Sequence, residues 1–285
     1  MLLRLFCLLM AVPFAAGTLP GPDASRQSTA LPNLNTALDR VFTIQQQIRD
    51  IHPAFHAVYP IAVVSGGVFY VYEPDPGGPH YKLAATAPDK FNVPVGIRAA
   101  MPLDFWGNRI ACVITPEALD EPRGFVLVFH EFVHCYQWET CEPRLKEKMG
   151  LYRTAMQRKD YMWELEYPFP YAAKGLGQDY LDIIRALDTG DTRSATALRK
   201  ELKERLTPDD WDYMTWQEWK EGLARYLENA IAARLGQPAN HGGLETPFNR
   251  VTFYAGGEAL IRSLSGGNAA VLYDIEALYH RIADR

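Results

Sequence analysis

His130-Glu131-Phe132-Val133-His134 sets two imidazoles four positions apart with a carboxylate between them. On a helix, residues four apart lie one turn from each other on the same face, so both rings can reach one metal ion. Glu131 stands beside that face, too far round the helix to be a natural third ligand. A carboxylate there is placed to take a proton from a water whose pKa the metal has lowered. The spacing therefore predicts zinc on His130 and His134, with Glu131 as general base.

The alternative is a pair of core histidines satisfied by ordinary hydrogen bonds. Phe125-Val126-Leu127-Val128-Phe129 leads into the motif, and Phe132, Val133, Cys135, Tyr136 and Trp138 surround it. Such a helix is apolar on nearly every side and is expected to be buried. A neutral polar group left there without a partner costs on the order of 2–7 kcal/mol. One metal ion would satisfy both imidazoles together.

A catalytic zinc site needs a third protein ligand. The segment from Thr215 to Glu228 reads as a helix running on to Leu235-Gly236, with Pro238 as a stop signal, and it offers Glu218 and Glu221. Glu164 and Glu166 are further candidates. Glu218 has another explanation, because Thr215-x-x-Glu218 has the form of a capping box. For Glu221 the ordinary alternative is an ion pair with Arg225 one turn on, worth a few tenths of a kcal/mol.

H-E-x-x-H followed by a later helix carrying E-G-x-A-x-Y-x-E, here Glu221 to Glu228, resembles the gluzincin metallopeptidases, the thermolysin and aminopeptidase N branch of the zincins. The resemblance implies that Glu221, immediately before Gly222, is the third zinc ligand. Glu228 matches a further family position that can act behind the ligands, although taken alone it reads as a solvated helix residue. Tyr254-Ala255-Gly256-Gly257 resembles the Y-x-x-G downstream of the ligand helix, which implies that the Tyr254 hydroxyl donates to the oxyanion of the tetrahedral intermediate. With fifteen tyrosines in the chain, a packing aromatic is the alternative at that position. Gln137, giving H-E-x-x-H-x-x-Q, is similar to exported members of the wider clan. The chain departs from the family in two ways. The interval from His134 to Glu221 is several times longer than in thermolysin or the aminopeptidases, and the G-A-M-E-N exopeptidase signature is missing.

The elements that must position these groups belong to a chain of 285 residues, 48% hydrophobic and 22% charged, enough to bury a sizeable core. Residues 1–17 carry one basic residue, Arg4, then the apolar run Leu5 to Val12 and the small residues Ala15-Ala16-Gly17. This reads as a secretory signal peptide, too short for a membrane anchor, and predicts an exported protein, periplasmic or secreted. A formal net charge of −5 argues against a nucleic-acid partner. Beyond that segment Cys112, Cys135 and Cys141 remain, which allows one disulfide with one free thiol or three buried thiols.

Residues 18–33, rich in proline and small polar residues, are expected to be a flexible lead-in. Asn35 is expected to cap a helix to about Ile51. Strands are expected over Ala57–Ser65 and Val68–Glu73 as a hairpin about Gly66-Gly67, then near Tyr81–Thr86, Val93–Ala100 and Arg109–Thr115. The last, just before the zinc helix, is where zincins keep the edge strand that takes an extended substrate by β-augmentation. Helices dominate afterwards, including Arg144–Lys159, Tyr180–Leu187 and Ser194–Leu206, with Thr207-Pro208 as a cap and first-turn pair. The aromatic stretch Tyr161 to Tyr171 suits core packing or a cleft wall, Gly256-Gly257 and Gly266-Gly267 turns or close packing.

These readings combine into one α+β domain over 34–285 of zincin type: a small mixed sheet followed by a helical subdomain, with the active site in a cleft between them. The expected function is zinc-dependent peptide hydrolysis, with His130, His134 and Glu221 on the metal, Glu131 as base and Tyr254 on the oxyanion. The substrate would be a peptide or protein. An exported zinc-binding protein acting by binding alone, or a zinc amidohydrolase on a non-peptide substrate, is the alternative.

Overall fold

A computed structural model describes residues 34–285, so the expected signal peptide and lead-in lie outside the described residues. The described chain forms two compact units, residues 34–50 with 54–135, and residues 51–53 with 136–285. The fold is mixed, a five-stranded sheet and ten α-helices among the described residues, in agreement with the expected α+β class. No described helix is long and apolar enough to cross a membrane.

In the sheet-bearing unit, helix α1 (Leu34–Ile48) buries Leu34, Leu38, Val41, Ile44 and Ile48, the stripe that a 3.6-residue period produces. It begins one residue before Asn35, which therefore sits in the first turn instead of capping it. Gln45 is buried on the same stripe, and its Nε2 donates to the Phe55 and His56 carbonyls at 2.7 and 3.1 Å. An amide that would otherwise be stranded thus holds the segment entering the sheet.

Strands β1 (Ile61–Ser65) and β2 (Val68–Pro74) form the expected hairpin. Gly66 and Gly67 have φ of +57° and +74°, the two left-handed residues that a tight two-residue turn requires. The first strand starts only after Pro60, four residues later than expected. Strands β3 (Tyr81–Pro88), β4 (Arg98–Leu103) and β5 (Arg109–Ile114) complete a sheet of order β3-β2-β1-β5-β4, in which β1 and β5 run parallel and every other pair is antiparallel. The β4 strand begins five residues later than expected, because Pro94 and a left-handed Gly96 precede it.

The parallel pair corrects the expected placement of the edge. Arg109–Ile114 lies between β1 and β4, in the interior of the sheet, and the strand at that margin is β4. The physical reason is visible in its composition. β5 is buried at every residue from Ile110 to Ile114, and β1 at every residue from Ile61 to Val64, as befits central strands covered on both faces. One face builds a core from Ala62, Val64, Phe69, Val71, Ile97 and Ala99 with their neighbours.

A 3₁₀ turn over Pro116–Leu119 leads from β5 into helix α2 (Pro122–Thr140). Gly124 lets the first turn approach that segment: a Cβ there would lie 1.9 Å from the Ala118 carbonyl oxygen. Phe129 and Phe132 then interlock edge-to-face with Phe55 and Tyr59.

The other unit holds helices α3 (Glu142–Lys148), α4 (Gly150–Arg158), α5 (Trp163–Glu166), α6 (Leu176–Asp188), α7 (Thr192–Arg205), α8 (Pro208–Arg234), α9 (Arg250–Ser265) and α10 (Ile275–Ala283). The charged stretch 144–159 is split into two helices at Met149. Thr207 and Pro208 open α8 as expected, with Thr207 and Asp210 forming its capping box. Thr215 therefore lies in the helix interior, where its hydroxyl donates to the Trp211 carbonyl at 2.9 Å, and the capping explanation for Glu218 falls.

Helix α8 is buried nearly all round, and small residues make this possible. A Cβ on Gly257 of α9 would lie 2.1 Å from the Glu218 carbonyl oxygen, and one on Gly222 would lie 2.6 Å from Gly257. The two backbones are in direct contact there, so Gly256-Gly257 is a close-packing device; Gly266 and Gly267, left-handed at the end of α9, are a turn. The 161–171 stretch packs in this core: Tyr167 stacks on Tyr213, and Phe169 meets Tyr213 and Phe253.

Candidate metal centre

Helix α2 presents His130 and His134 one turn apart, both buried. Their Nε2 atoms are 3.2 Å from each other, with the ring planes at 75°. Helix α8 contributes Glu221, also buried, and one ligand atom from each of the three residues lies within 4.8 Å of the others. This buried group could hold a metal ion. The donor set fits: two zinc–nitrogen bonds of about 2.0–2.1 Å at a tetrahedral angle put the nitrogens about 3.3 Å apart, close to the observed separation. Two imidazoles and one carboxylate are the donors of a borderline-soft divalent cation, and no sulfur is among them.

The competing carboxylates are committed elsewhere. Glu218 is 1% exposed and receives both Arg199 guanidinium nitrogens at 2.7 and 2.6 Å and the Tyr180 hydroxyl at 2.7 Å. Burial raises the Tyr180 hydroxyl well above its ordinary pKa, and the adjacent Glu218 charge adds to this. Glu164 lies between Lys146 at 2.5 Å and Lys220 at 2.7 Å, and both lysines also reach Glu142. Burial works against charge on Glu164, but the two ammonium groups outweigh it and hold the carboxyl below the usual range. Glu166 is exposed. Arg225, the alternative partner for Glu221, pairs with Glu228 at 3.4 Å and donates to the Gly242 carbonyl at 2.9 Å.

Glu228 corrects a further expectation. It is buried, accepting from Asn240 Nδ2 at 2.9 Å besides its arginine, because α8 has no solvated face at this level. Gln137, one turn beyond His134, donates from Nε2 to the Lys220 carbonyl at 3.1 Å, so it grips α8 at the residue before Glu221. With Lys220 itself clamped between two carboxylates, the backbone that carries Glu221 is held from both sides.

Glu131 is buried on α2 and is absent from the ligand group. Its charge is felt by Arg98 of β4, whose pKa burial lowers and Glu131 supports, and by Cys112, whose thiol burial pushes up and Glu131 pushes further. Cys112, Cys135 and Cys141 are buried thiols with no disulfide, which settles the open alternatives for them; burial raises Cys141 to about 12.

Tyr254 lies in the second turn of α9 and is fully buried. Its hydroxyl accepts from Arg250 Nη1 at 2.6 Å. A guanidinium only donates, so the phenol uses an oxygen lone pair in that contact. Arg250 is the neighbour that reading the motif alone misses, and its i, i+4 spacing to Tyr254 is the signal that could have found it.

No family model, curated protein or solved structure matches the chain. The class defined by fold and site is an α+β protein with a buried His130, His134 and Glu221 group able to hold a metal ion.

Proposed function

We propose that this chain is an exported zinc-dependent metallopeptidase of gluzincin type. The observation that carries the reading is the convergence of His130 and His134 with Glu221, which the interval in sequence did not require. Zinc held there would supply Lewis acidity, polarising a peptide carbonyl and making water acidic near neutral pH. Glu131, one residue from His130 on the same helix, accepts the proton of the attacking water and delivers it to the leaving amine. Tyr254 would donate a hydrogen bond from its hydroxyl to the oxygen that becomes negative. Gln137 and Lys220 keep the ligand helix in register.

A base beside the metal distinguishes this from a site that only binds, because a structural zinc site has no use for one. The test incubates the zinc-loaded protein, and its Glu131→Gln variant, with a proteome-derived peptide library and reads new termini by mass spectrometry. Cleavage by the first and none by the second supports the proposal. No cleavage by a fully metallated sample overturns it in favour of binding or non-peptide hydrolysis.

A further inference from the structure

Arg250 is a half-buried cation without an acidic partner. None of the ion pairs among the described residues includes it, and its hydrogen bond to Tyr254 engages one of five N–H donors. Its guanidinium carbon also lies 5.4 Å from the centre of the Tyr254 ring. Burial opposes the charge, and the surrounding Tyr254, Glu221, Tyr213 and Tyr171 offset this, so the group stays fully protonated. Four other buried or half-buried cations of this unit behave differently. Arg199, Lys146, Lys220 and Arg225 each have a carboxylate within 4.0 Å.

Desolvating a cation without a counter-charge is costly, and the cost is offset where a ligand supplies the charge. Glu221 is the acid whose charge acts on Arg250 most strongly, and with a metal bound to it that charge would be shared with the metal. The guanidinium beside Tyr254 then keeps donors to give and has no ion-pair partner to receive them. Tyr254 is fully buried whereas Arg250 is part-exposed, so an incoming group meets the arginine.

We infer that Arg250 is a specificity residue that receives a carboxylate of the substrate, so that the site favours peptides presenting a carboxylate close to the bond that is cut. The inference rests on the peptidase reading for the identity of the ligand. A planar guanidinium matches a carboxylate with two parallel N–H donors, which a lysine does not reproduce. Each residue of an extended peptide spans about 3.5 Å, so a carboxylate from the chain end or from an adjacent Asp or Glu side chain has the same chemistry.

The test measures binding by titration calorimetry to zinc-loaded Glu131→Gln protein, which cannot turn the probe over. The probes are N-acetylated tetra-alanine as free acid, the same peptide as its amide, and an amide ending in glutamate. The expected result is that the free acid or the glutamate amide binds about tenfold or more tighter than the plain amide, the stronger of the two naming the source of the carboxylate. Adding Arg250→Met removes that discrimination and Arg250→Lys recovers only part of it, with thermal melting reporting that each variant is folded. Equal affinity for all three probes, no binding of any, or discrimination surviving in a folded Arg250→Met protein overturns the inference. The two readings fail separately. Cleavage of acid and amide peptides with equal efficiency leaves a peptidase without this specificity, and Arg250-dependent binding by a wild-type protein that cuts nothing leaves the carboxylate site without the peptidase.

Discussion

Replacing Glu218 by alanine should destabilise the fold severely and leave the metal in place. In the structure its two carboxylate oxygens receive three hydrogen bonds, two from Arg199 and one from Tyr180, all between 2.6 and 2.7 Å. Arg199 is 2% exposed, and besides this pair its guanidinium meets the Ile282 carbonyl at 3.2 Å and the Trp211 ring at 4.8 Å. Removing the carboxylate leaves a buried cation without counter-charge, a change that costs about 3–5 kcal/mol, with the upper end favoured because Tyr180 loses its acceptor as well. At about 2–4 °C per kcal/mol for a protein of this size, the melting temperature should fall by about 6–20 °C. Glu221→Ala should do the reverse, losing stoichiometric zinc, because it removes the proposed third ligand and leaves that pair intact. The assay is calorimetric melting combined with metal analysis of the dialysed variants, and Arg199→Met/Glu218→Leu should recover much of the loss by removing both charges together. A Glu218→Ala protein that loses less than about 1 kcal/mol, or one that loses zinc while Glu221→Ala retains it, would refute the assignment of the two carboxylates.

Tyr254→Phe should lower kcat roughly 10²–10³-fold with little change in KM on a peptide that wild type cleaves, and an unchanged kcat in steady-state kinetics would remove the tyrosine from the mechanism. Gly257→Ala would set a methyl group against the Glu218 backbone and force α8 and α9 apart at a cost of about 1–3 kcal/mol or more, with weaker zinc affinity because Glu221 is one turn away; an unaltered melting temperature would contradict the close contact. N-terminal sequencing of protein recovered outside the cytoplasm should begin near Gly17, and a product still starting at Met1 would overturn the expectation of export.

The parts legible in the sequence were those whose information is local. His130 and His134 share a helix turn, Gly66-Gly67 sit in a hairpin, and Thr207-Pro208 open a helix, each through contacts within a few residues. The grouping of Glu221 with the two histidines was suggested by a resemblance carried by its own helix. What was hidden depends on partners far along the chain. β5 became an interior strand because it pairs in parallel with β1, and an apolar run alone does not reveal which neighbours it will find. Glu218 read as a cap because Arg199 lies on another helix, and Glu228 read as solvated because nothing local shows that Asn240 and the folded-back chain cover it. Gly256-Gly257 looked like either a turn or a contact until α8 was placed against it.

The zinc K-edge absorption spectrum of the dialysed protein reads the proposed ligand set itself. One zinc per chain is expected, with two imidazole nitrogens from His130 and His134 and oxygen neighbours from Glu221 and solvent, all at about 2.0–2.2 Å. Sulfur scattering at about 2.3 Å, which would bring in a cysteine and close the site as a structural one, or a protein that retains no zinc, would contradict it.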